Sequence, residues 1–96
     1  MYRTTINSYL ASLGALVAAD GIDAHLGHLV AVAHAAQAVV PAAAAVLTDT
    51  REPEIARLRA LAIASAAVLR DTAAARSLHA AAITLRDPAS ARAIAA

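Results

Sequence analysis

The chain has 96 residues, of which 60% are hydrophobic and 2% aromatic, with a formal charge of +1. That balance excludes a strong field directed at nucleic acid or anionic lipid, and the lack of cysteine excludes disulfides, thiol chemistry and thiolate metal sites. Alanine fills 31 positions against three glycines and three prolines, so one helical domain with a thin core is expected over residues 1–96.

The first predicted helix covers about 5–19. Ile6, Tyr9, Leu10, Leu13, Leu16 and Val17 recur at helical spacing and should form its buried seam. The apolar run Leu10–Ala19, ending in Val17-Ala18-Ala19, has some features of a cleaved export signal, but the amphipathic reading accounts for it better. Asp20-Gly21-Ile22-Asp23 punctuates: Gly21 suits a position that needs positive φ, and either acid can cap the next helix.

The second helix is expected over about 22–47. Leu26, Leu29, Ala33, Ala36, Val40, Ala43 and Leu47 step by three and four as a large-residue seam. Ala31, Ala35, Ala38, Ala42 and Ala45, in line with Ala24 and His28, form a separate small-residue ridge. Small residues let helices approach to the short end of about 8–10 Å. Pro41 removes a backbone hydrogen bond and clashes with the carbonyl of Gln37. Without a capping residue ahead of it, a kink is expected there rather than a break.

No ionised residue separates Asp23 from Asp49. A bilayer span would be long enough, but the seven Leu and Val of the stretch 29–47 contribute only roughly −2 to −4 kcal/mol to insertion. His34, Gln37 and Pro41 oppose it, and no aromatic or basic anchor flanks it. Contact with the rest of the chain or with another copy is therefore favoured over lipid.

A turn follows at Thr48–Glu54, with Thr50 or Glu52 near the cap and Pro53 in the first turn. The third helix is expected from Pro53 to Arg86 with Ile55, Leu58, Ala62, Ser65 and Leu69 as its seam. The same step then lands on Thr72 and Arg76. A kink or restart near residue 71, capped by Asp71 or Thr72, resolves the mismatch. The segment Leu69–Ala80 is echoed at Leu85–Ala96, where Asp87-Pro88 predicts the start of a short C-terminal helix. Arg57 should pair with Glu54 on the solvated face of the third helix.

The expected fold is thus all-α: a small alanine-rich bundle of three long helices, about 5–19, 22–47 and 53–86, plus a short terminal one. The second and third should form an antiparallel hairpin with the first packed on it.

Chemistry is sparse. His25 and His28 lie at i and i+3 behind Asp20 and Asp23, a weak pattern for a metal- or ligand-binding bundle without a Glu-x-x-His or a second histidine pair. The serines sit in no nucleophile turn and the glycines in no phosphate loop. In length and alanine-rich helical outline the chain resembles the small proteins exported by type VII secretion, although it has no tryptophan for that family's Trp-x-Gly turn. No function is carried over from that likeness.

The expected function is a non-enzymatic assembly or adaptor protein, needing no cofactor and no metal. It would act by self-association, a symmetric dimer being favoured, or by binding a helical partner protein. The expected interface is the ridge Ala31, Ala35, Ala38, Ala42 and Ala45. Arginine in place of every lysine suggests a high-GC bacterial or phage gene, and the expected compartment is the cytoplasm. The alternatives are a small membrane-associated protein and a bundle that binds through His25 and His28.

Overall fold

A computed structural model describes residues 2–85. All their regular structure is helical: α1 (Tyr2–Asp20), a single 3₁₀ turn (Ile22–His25), α2 (Leu26–Ala36), α3 (Pro41–Leu47), α4 (Glu54–Arg70) and α5 (Thr72–Leu85). The predicted helix after Asp87 lies outside the described residues. The all-α bundle is as expected, but five shorter helices replace three long ones.

In α1 the seam is the one the spacing predicts. Ile6, Tyr9, Leu10, Leu13 and Val17 are buried and Leu16 is half-buried. The helix stops at Gly21, whose φ of 91° and ψ of 156° lie in a region that only glycine adopts easily. The Gly21 amide still reaches back to the Val17 carbonyl at 2.9 Å.

The kink expected at Pro41 is a full break. The amides of Val39 and Val40 both return to the Ala36 carbonyl, at 3.0 and 2.8 Å, which closes α2. Val40 is extended at φ −135° and ψ 70°, as steric conflict with the following proline ring favours. Pro41 then opens α3, where its missing amide costs nothing. No side chain caps the new start. The Ala44 amide bonds the Val40 carbonyl at 3.0 Å, so the backbone supplies the first link itself.

Between α3 and α4, Asp49 folds the turn by accepting the backbone amide and the guanidinium of Arg51 at 2.9 and 3.0 Å. These donors hold the Asp49 carboxyl below its ordinary range. The predicted restart at residue 71 is present. Asp71 is extended and its carboxylate accepts the Ala74 amide at 2.8 Å, an N-cap for α5.

α3 lies along α4, α2 lies against α4 and α5, and α1 closes the bundle against α5 and α4. Leu13, Leu29, Val32, Leu47, Val68 and Leu78 are fully buried in one shared core, with alanines filling the spaces between them. Burying a leucine is worth about 1.5–3 kcal/mol, so this handful of large side chains carries most of the apolar stabilisation.

The buried stripe of α4 is not the predicted one. Arg57, Leu61, Ala64 and Val68 face inward, flanked by Ala60 and Ala67. The predicted seam Ile55, Leu58, Ala62, Ser65 and Leu69 lies one residue further along, which is about 100° of rotation. Of that seam, Ile55 and Ala62 face solvent and the other three are half-buried.

Candidate functional site

Polar side chains gather at the corner where α1, the 3₁₀ turn and α4 meet. Tyr9, buried in the core, shares a 2.6 Å hydrogen bond with Nδ1 of His28, their rings tilted at 54°. His25 donates through Nε2 to Asp20 at 2.9 Å. The two histidines of the predicted pair therefore serve different partners. Among the described residues, no three His, Asp or Glu side chains are placed to hold a metal ion.

Arg57 completes this corner, and it is not the surface residue expected from its i, i+3 spacing to Glu54. Only 3% of it is exposed. Its Nε donates to the Leu47 carbonyl at 3.1 Å, satisfying the end of α3, and its Nη1 donates to Asp23 at 3.2 Å. Nη2 is buried without a hydrogen-bond partner. The long side chain thus ties α4 to the end of α3 and to the 3₁₀ turn. It is a structural clamp.

The break in the second predicted helix divides the alanine ridge. Ala35 is buried against the protein's own helices, and Ala31 is half-buried on the same core. Ala38 lies in the break, and Ala42 and Ala45 lie on α3, all three exposed. The five do not form one continuous surface. The bend leaves a notch of about 280 Å³ lined by Val30, His34 and Gln37 of α2 and its end, and by Ala45 and Thr48 beyond Pro41.

A larger concavity runs between α3 and α4. It encloses about 520 Å³. Val40, Pro41, Ala42, Ala43 and Val46 make one wall; Ala56, Ala60 and Ile63 make the other, with Glu52 and Arg59 at the rim. Ile63 is 52% exposed, and Ile55, on the same side of α4, is 61% exposed. On α4, Ala56, Arg59, Ile63, Ala66 and Arg70 step by three and four along a face turned roughly 120° from the centre of the buried stripe; all but the half-buried Ala56 are exposed. Glu52 lies in the turn ahead of Pro53, outside the helix, and lines the groove with Ala56 and Arg59. Arg59 and Arg70 are the only charges on the helical part of this stripe.

The sequence reading of this region was incomplete because the groove belongs to two elements at once. Its floor is alanine, which carries almost no hydropathy signal, and Ile63 was not singled out. The exposed isoleucine among alanines, on the side facing away from Leu61 and Val68, was the available clue.

Comparisons with protein families, curated proteins and solved structures find no match to this chain. Among the described residues no helix is long and apolar enough to cross a membrane. The class of protein defined here is an alanine-rich helical bundle with an apolar groove on one side.

Proposed function

We propose that the chain is a non-enzymatic assembly or adaptor protein and that the face formed by α3 and α4 is its working surface. The observation that carries this reading is the groove itself: an alanine floor between apolar walls, with Ile63 half exposed at its edge. An amphipathic helix fits such a surface, because alanines permit close backbone approach and apolar anchors can enter at i, i+3, i+4 and i+7. Of the predicted ridge, Ala42 lines this groove; Ala45, also on α3, lines the smaller notch, and Ala38 is exposed in the break between α2 and α3. Ala31 and Ala35 drop out of it because the bundle uses them internally.

The hydrogen bonds of the polar corner join elements to one another: Tyr9 to His28, His25 to Asp20, and Arg57 to Leu47 and Asp23. A photo-crosslinking residue at position 63, in cells producing the chain, tests the proposal. Discrete adducts at 63 and none at Arg76, which is exposed on α5, are expected. Equal, diffuse labelling at both positions would refute an assembly role for this face.

A further inference from the structure

Resting on that reading, we infer that the occupant of the α3–α4 groove is α4 of a second copy of this chain, packed antiparallel about a two-fold axis. The argument is the charge order along the groove side of α4, with an acid just before its start and an arginine at its end. Ala56, Arg59, Ile63, Ala66 and Arg70 follow one another by three, four, three and four residues on the helix, and Glu52, in the turn ahead of it, lines the groove with Ala56 and Arg59. Laid antiparallel on itself, the stripe sets Glu52 against Arg70 of the second copy at both ends. Ala56 meets Ala66, and the stem of Arg59 lies over Ile63. A parallel pairing would instead set each acid on its equal and each arginine on its equal.

A two-fold interface requires a surface complementary to its own reverse, and this stripe meets that condition. The alanine pairs let the two α4 helices approach closely. α3 of each copy then flanks the α4 of the other. The two Arg59 heads, offset by about one helical turn, extend to water while their aliphatic stems cover isoleucine.

At about 1.5 Å per residue and ~10 Å width, α4 with 17 residues and α3 with seven together give a footprint of roughly 360 Å² in projection. That falls below the ~800 Å² per partner of standard stable complexes, so the dimer should be concentration-dependent.

Sedimentation equilibrium over micromolar to submillimolar protein is the test. A monomer–dimer equilibrium is expected, and Ile63→Arg, which sets a like charge against Arg59 of the second copy, should weaken it about tenfold or more. Glu52→Arg and Arg70→Glu should each weaken it, and the double variant should restore much of the loss. Ile83→Glu, on α5, should leave it unchanged. All these positions except Glu52, which is half-buried in the turn, are solvent-exposed, and far-UV circular dichroism confirms that each variant folds. A monomer at every concentration overturns the inference; if Ile63 still crosslinks to a protein of another mass, the adaptor reading survives without it. A dimer indifferent to Ile63→Arg also overturns it, because the contact then lies elsewhere.

Discussion

Arg57 offers the sharpest test of the packing described here, because its stem and its charge pull stability in opposite directions. Replacing it by alanine removes two buried methylenes, at about 0.8 kcal/mol each. It also removes the charged bond to the Leu47 carbonyl, about 1.5–3 kcal/mol. The pair with Asp23 adds at most about 1 kcal/mol, since Asp23 is 77% exposed and screened by water. Against these losses, the buried Nη2 donor without a partner disappears, a relief of about 1–3 kcal/mol. The net expectation for Arg57→Ala is a loss of about 2–4 kcal/mol. Arg57→Met keeps most of the stem and discards the charge, so it should cost about 2 kcal/mol less than alanine. Urea unfolding followed by far-UV circular dichroism measures both. Equal losses in the two variants would show that the guanidinium, rather than its stem, holds α4 to α3. No loss in either would show that the side chain is not buried in solution.

Three further outcomes follow from single features. Gly21→Ala should cost about 1–3 kcal/mol from backbone strain alone, because a methyl group there meets no atom within 4 Å; an unchanged urea midpoint would contradict the positive φ. Asp71→Ala should cost about 1 kcal/mol, with Asp71→Ser recovering most of it; calorimetry decides, and identical melting of both variants would argue against the cap. Leu29→Ala should cost about 2–5 kcal/mol, a large share of the roughly 5–14 kcal/mol expected for a domain of this length. A fully folded variant with wild-type melting would mean that the core is more plastic than its packing implies.

What could be read in advance was decided by contrast between neighbouring positions. In α1, large apolar residues alternate with Asn7, Ser8 and Ser12, so the buried face stands out. Asp71 was legible as a cap because the seam that runs to Leu69 fails just beyond it, at Thr72 and Arg76. α4 lacked such contrast. Alanines surround the helix, Ile55 and Ile63 sit on the outside, and the inner face contains an arginine that hydropathy assigns to water. The reading settled on the stripe next to the true one. The break before Pro41 was missed for a related reason. Caps were sought among side chains, whereas the Ala36 and Val40 carbonyls supply the closing and opening links. The groove depends on how α3 and α4 lie together, and no periodicity within one element reveals that.

The two walls of the groove differ in their autonomy. α4 spans 17 residues and α3 only seven, while isolated helices shorter than about 12–15 residues are marginal in water. α3 also begins without a side-chain cap, so its order is conditional on its neighbours. Opening the bundle locally should melt α3 well before α4. A ligand that spans both walls would then be bound partly by completing the folding of one of them, which trades affinity for adaptability.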